Sequence, residues 1–297
     1  MLKNRFTLLL LTILSFSWLI SCEESTINPF EDEKSIYSVY GALSMDRSIN
    51  YIRVRKLDTP LFADSTLKID GIVTFTDLET GISNVLKDTV VNFSGNFTQN
   101  FILDQILELN RTYELKVERS DGAAVRSSFT TPQQTDVDIN INFPELQCET
   151  PITFTYKNVR DPELIQMEVG ILHNGNLNWA PMQIVGRLTH KPNADEMTVV
   201  MSPRNLMVEV FPPIIPDIPN FNTYLLFPTV SCAAVENRKF HIRYTHFGAE
   251  WNEGKPRMGQ IDFESGIIDN GLGFIGSYRT GEFSFSLGDS DEDLAEI

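Results

Sequence analysis

The sequence predicts an all-β protein of two sandwich-like domains, with at most one short helix after its leader segment. Three observations carry that prediction. Short runs rich in β-branched and aromatic residues recur along the chain, as at residues 37–43 and 240–244. Within them apolar and polar residues alternate, the period that buries one face of a strand and wets the other. Turn signals built from Asp, Gly and Ser separate the runs at strand spacing, and no long stretch carries the helical period.

The first domain is expected over residues 35–132. Its clearest strand is Ile52-Arg53-Val54-Arg55, where apolar and charged side chains alternate. Residues 37–43, 72–75, 113–117 and 125–129 repeat the character, and Asp77-Leu78-Glu79-Thr80-Gly81 and Ser120-Asp121-Gly122 supply the turns between them. About seven short strands in roughly 100 residues is the count of an immunoglobulin-like sandwich. The run Leu107-Glu108-Leu109-Asn110-Arg111-Thr112-Tyr113, continuing to Thr130-Thr131-Pro132, resembles the last two strands of a fibronectin type III domain. The resemblance implies a tyrosine corner, with the Tyr113 ring on the core and its hydroxyl bonded back to the backbone near Leu107. The Trp typical of that family's early strand has no counterpart in this half.

Pro132 closes the first domain, and a second β-rich domain is expected over residues 133–288. Val137, Ile139, Ile141 and Phe143 alternate with Asp138, Asn140 and Asn142; Ile152, Phe154 and Tyr156 repeat the pattern, as do Phe240, Ile242 and Tyr244. The one helix is expected where Ser202 caps, Pro203 takes the first helical position and residues 204–210 follow. The proline-rich run at 211–219 lacks the donors of a ladder strand and reads as an extended loop carrying three isoleucines. Gly271-Leu272-Gly273-Phe274-Ile275-Gly276 matches the spacing of a dinucleotide-binding glycine motif. No βαβ unit surrounds it, so it reads as a tight β turn before an alternating strand at 277–287.

At the N-terminus, Lys3 and Arg5 precede an apolar run from Phe6 to Ile20, too short and too interrupted to span a bilayer, which reads as a secretory leader over residues 1–21. Its end, Leu19-Ile20-Ser21-Cys22, resembles the lipobox of bacterial lipoproteins. That resemblance implies lipid attachment at Cys22 and a membrane tether through the N-terminus. Residues 22–34 form an acidic tether and 289–297 an acidic tail. Glu23 and Glu24 beside the cysteine resemble the surface-export signal of Bacteroidota lipoproteins. The leader, the first sandwich and the glycine- and aromatic-rich ending at residues 270–278 together resemble an uncharacterised family of Bacteroidota outer-membrane lipoproteins. This likeness implies a lipid-anchored place at the cell outer membrane, on the periplasmic or the surface face, beside an outer-membrane transporter.

The net charge of −16 excludes nucleic acid as a natural partner, because such a chain repels a phosphate backbone. Cys148 and Cys232 are the remaining cysteines of an exported chain. They either pair, or stay as two buried thiols. The four histidines show no zinc-protease spacing, and no catalytic serine, phosphate-loop or calcium-loop motif is present. No metal site and no cofactor are expected.

Candidate ligand contacts are Trp179 and Trp251, whose faces suit sugar rings in Asn-rich surroundings, with His246 and Glu250 in a loop at residues 248–255. Core packing competes for the tryptophans and plain surface exposure for the histidine. The leading expectation is a lipid-anchored, non-enzymatic envelope binding or accessory protein that holds an outer-membrane protein or a glycan. The alternative is an envelope hydrolase or glycan-binding protein with its site in the second domain, the hydrolase using Glu250, His246 and Asp262 or Asp269.

Overall fold

The computed structural model describes residues 36–57, 68–93, 96–140, 147–183, 188–191, 195–212, 230–235, 238–253 and 268–287. The leader, Cys22, both acidic tails, Asp262 and most of the proline-rich loop lie outside them.

The fold is all-β, two sandwiches joined through one strand. The first half supplies β1 (Tyr37–Ser44), β2 (Ile49–Lys56), β3 (Ile72–Asp77), β4 (Ser83–Val85), β5 (Lys87–Phe93), β6 (Asn96–Asp104), β7 (Thr112–Glu118) and β8 (Ala124–Thr130). They form two layers, β1-β2-β6-β5 against β4-β3-β7-β8. Read by position along the chain, this is the immunoglobulin order, first-second-fifth-fourth strands on one sheet and the third, sixth and seventh on the other, with β4 as an added edge. Alternation explains the layers. Val39, Ile52, Val54, Phe75, Leu115 and Phe129 point inward and are almost wholly buried. Phe75, Tyr113 and Phe129 pack together in the centre, Phe75 stacked on Tyr113 at 5.1 Å between ring centroids and Phe129 tilted against Tyr113 at 5.8 Å. Each such ring contributes about 1.5–3 kcal/mol on burial. The Tyr113 hydroxyl accepts the Glu108 N–H at 3.0 Å beside buried Leu107, which closes a tyrosine corner.

The second half supplies β9 (Asp136–Asn140), β10 (Ile152–Lys157), β11 (Ile165–His173), β12 (Asn176–Pro181), β13 (Leu188–Lys191), β14 (Glu196–Met201), helix α1 (Pro203–Val210), β15 (Lys239–Phe247), a single helical turn α2 (Glu250–Glu253) and β16 (Gly271–Ser286). Ser202 caps α1 and Asn205 returns the bond to the Ser202 backbone, the reciprocal pair that fixes a helix start. The α2 turn stands where the sequence predicts a loop. A second core lies between β13-β14-β10-β9 and β12-β11-β15-β16, with Phe154, Tyr156, Met167, Val199, Phe240 and Phe285 inside it. Phe240 and Phe285 stack at 5.3 Å.

The strand β16 changes the picture drawn from the sequence. Residues Gly271–Tyr278 pair in parallel with β1, and Tyr278–Ser286 pair antiparallel with β15. One eight-stranded sheet therefore runs β12-β11-β15-β16-β1-β2-β6-β5 through both halves. The core of the first half includes Ile268 and Ile275 from the far end of the chain. The glycine run at 271–276 is thus strand, not a tight turn. Glycine is needed there for close approach: a Cβ on Gly273 would sit 2.0 Å from the Val39 carbonyl oxygen, and one on Gly271 2.9 Å from that of Tyr37.

Cys148 and Cys232 form a disulfide with Cα atoms 6.2 Å apart, within the normal span of such a bridge. Cys232 is buried and Cys148 packs against the second core.

Candidate functional site

Three of the four candidate contacts, His246, Glu250 and Trp251, come together where the halves join. The linker after β8 is held there from the second half. The Thr135 hydroxyl hydrogen-bonds His246 Nδ1 at 2.7 Å, and the Tyr244 hydroxyl donates to the Thr135 carbonyl at 3.1 Å. The Glu250 carboxylate accepts the Thr130 N–H. Trp251 Nε1 donates to the Ser277 carbonyl at 2.9 Å, and the Gly248 N–H donates to the same oxygen. The Trp251 ring closes an aromatic group with Phe247 at 4.6 Å and Phe274 at 4.7 Å, with Tyr278 beyond at 6.4 Å. His246 and Glu250 are 7% and 8% exposed, so neither is a surface residue. Their polar atoms serve the junction. Asp269 lies apart from them in backbone pairing with Arg126.

Burial pushes the His246 imidazole down to about 4 from its ordinary 6.5, against a hydrogen bond to the Gln133 backbone that acts the other way. Folding therefore selects the neutral ring. Between these two values the unfolded chain holds a proton that the folded chain refuses, so stability is lost as pH falls through about 6.5 and the loss is complete near 4. At about 1.4 kcal/mol per unit, the loss approaches 3 kcal/mol. Urea unfolding near pH 7 and near pH 4 is expected to show it, and His246→Asn to shrink the difference. Equal differences in the two proteins would refute a buried neutral histidine at this joint.

Trp179 stands elsewhere. Its ring lies across Gly170, where a Cβ would come within 2.9 Å of three indole atoms, and the Arg243 guanidinium sits 3.9 Å above the ring centroid. Arg243 also faces Glu168 and Glu282, each at 3.6 Å. His241 shares this outer face with Glu282 at 3.4 Å, whereas His246 turns inward from the same strand. The indole is thus sandwiched between a glycine and a cation, an arrangement worth about 1 kcal/mol in its cation–π contact alone. Trp179 covers sheet backbone and does not join the other candidates.

The sequence did not single out Tyr40 and Tyr51. They lie on the outer face of β1 and β2 and are 52% and 51% exposed. Strand parity is the signal that would have found them. Val39, Ile52 and Val54 are core residues, so Tyr40, Tyr51 and Arg53 must face out.

On the opposite sheet a cavity of about 240 Å³ is lined by Asp77, Glu108, Arg111 and Tyr113. Arg111 is held there by Asp77 and Glu108, each at 2.7 Å, which makes the group a knot beside the tyrosine corner. Among the described residues no cluster of three His, Cys, Asp or Glu side chains has the geometry to hold a metal ion. No helix among them is long and apolar enough to cross a membrane.

No family model matches the chain, and no curated protein matches it. Among solved structures, similarity extends to the FN1-FN3 domains of chicken CNTN1, at 10% identity over 85% of this chain and 63% of that one, with a TM-score of 0.27. A pullulanase from Anoxybacillus sp. LM18-11 matches at 10% identity over 71% of this chain, which spans only 24% of the pullulanase, with a TM-score of 0.21. Titin Ig tandem domains match at 9% identity over 85% of this chain and 93% of that one, with a TM-score of 0.19. At these scores the likenesses carry no argument about activity, and the fold rests on the strands themselves.

Proposed function

We propose that this chain is a lipid-anchored, non-enzymatic binding or accessory protein of the cell envelope, tethered through Cys22 and holding a partner at the outer membrane. The observation that supports this reading best is the eight-stranded sheet, which carries half-exposed aromatic residues on its outer face. A rigid sheet offers such a surface without the ordering cost of mobile loops. The lipobox-like leader supplies the tether. His246 and Glu250, the residues a hydrolase in the second domain would have used, are buried in the joint between the halves.

The test is recovery of the tagged full chain from detergent-extracted membranes. The expected result is reproducible co-purification of an outer-membrane protein or a glycan, lost when Cys22→Ser releases the chain from the membrane. Recovery of the chain alone, or identical recovery from the soluble fraction of the Cys22→Ser variant, would overturn the reading.

A further inference from the structure

We infer that the outer face of β16-β1-β2-β6-β5 binds an anionic polysaccharide of the uronic-acid type, an inference that rests on the binding reading above and names its ligand class. Register places the residues. Phe274, Tyr40 and Arg53 stand side by side across β16, β1 and β2. Tyr51 lies two residues from Arg53 on the same face of β2, beside Ile102 of β6, and Ile102 lies beside Lys87 of β5. Directly opposed side chains on neighbouring strands are about 5 Å apart, and diagonal ones about 7–8 Å. The two tyrosines are therefore close enough to form one platform, extended at the β16 side by the rings of Phe274 and Trp251.

Charge selects among the ligands such a platform would take. The whole chain carries −16, yet the charged side chains in these two rows, Arg53 and Lys87, are both basic. Among the described residues the acids at its margins are Asp104, paired with Ile49, and Glu282 farther along β16, which faces His241 and Arg243. An acidic surface elsewhere repels a polyanion, so a local basic patch fits only a ligand that needs few charges neutralised at one face. A uronic-acid chain meets that requirement only through its ring faces, which lie on the tyrosines while the few carboxylates that reach Arg53 and Lys87 are held there. Tyrosine presents an apolar ring face to the sugar and a hydroxyl to its rim, while guanidinium binds carboxylate through paired donors.

The experiment is affinity electrophoresis and titration of the full chain with polygalacturonate, with dextran as the neutral sugar chain and vesicles of anionic phospholipid as the other anionic surface. Polygalacturonate is expected to retard the protein in a salt-sensitive manner while dextran does not. Tyr40→Ala with Tyr51→Ala, and separately Arg53→Glu, are expected to weaken binding at least about tenfold. Trp179→Ala is expected to leave it unchanged. Circular dichroism and melting of each variant check that the sandwich persists, which half-exposed outer-face positions allow. Absence of retardation, equal retention by dextran, binding to vesicles in place of polygalacturonate, or folded variants that bind as the parent does would each overturn the inference. If polygalacturonate fails while a membrane partner still co-purifies, the ligand class falls and the accessory reading stands; the reverse pair of results removes the partner and keeps the glycan.

Discussion

Replacing Gly273 with alanine is expected to lower the stability of the chain by about 4 kcal/mol, combining backbone strain with overpacking. Gly273 has φ near +120°, a region L side chains rarely adopt. A Cβ there would stand 2.0 Å from the Val39 carbonyl oxygen and about 3 Å from the Val39 nitrogen and carbonyl carbon. These are backbone atoms of a strand locked between two neighbours, so the contact cannot be relieved by turning a side chain. Only separation of β16 from β1 removes the clash. That separation would open the first core at Ile275 and loosen the joint at Ser277, whose carbonyl holds Trp251 and Gly248. Because β16 belongs to both sandwiches, the parent chain is expected to unfold in urea as one transition, and the alanine variant to shift the midpoint for both halves. Gly81→Ala is the control, since Gly81 has φ near +70° but nothing within 4 Å of its would-be Cβ. It should cost only about 1 kcal/mol. Similar losses from the two substitutions would show that the β1–β16 approach is not the constraint.

That strand also marks where the sequence stopped being legible. The strands Tyr37–Ser44, Ile49–Lys56 and Thr112–Glu118 could be read because alternation is local: each residue's neighbours along the chain reveal its face. The start of α1 was legible for the same reason, since Ser202, Pro203 and Asn205 act within one turn. The pairing of β1 with β16 joins the two ends of the described chain, and nothing in either segment names the other. Three glycines in six residues read as a turn because turn chemistry and close strand approach ask for the same residue. Only the position of Val39 tells them apart. The site followed the same logic. Local surroundings made His246, Glu250 and Trp251 candidates, and they do meet, but the fold directs them onto the linker at Thr130 and Thr135. Trp179 was drawn toward Gly170 and Arg243, partners supplied by neighbouring strands. Tyr40 and Tyr51 stand on different strands, and only the β1–β2 register shows that they share a surface.

Removal of the Cys148–Cys232 bridge is expected to cost about 4.5 kcal/mol, the larger of the two losses, from a loop closed over 84 residues. The closed loop contains β10 to β14 and α1, most of the second sandwich. Unbridged, all of that chain regains its freedom in the unfolded state, and the folded state loses little. Cys148 sits just before β10, and its carbonyl accepts the Arg204 N–H at the start of α1. Cys232 begins the short 3-10 turn that leads into β15. The bridge thus pins the entry of one sheet to the entry of the other, at the end where α1 packs on β11 and β12. If chain entropy is the source, the double replacement Cys148→Ser with Cys232→Ser should leave the far-ultraviolet circular dichroism unchanged. It should lower the urea midpoint as far as reduction of the parent does. Each single replacement should cost about as much as the pair, since it cuts the same bond. For a chain whose total stability lies in the usual range of about 5–15 kcal/mol, such a loss removes a large share. A double variant within about 1 kcal/mol of the parent would show that the second sandwich is held by its core alone, and that the expected entropy is already spent in a compact unfolded state.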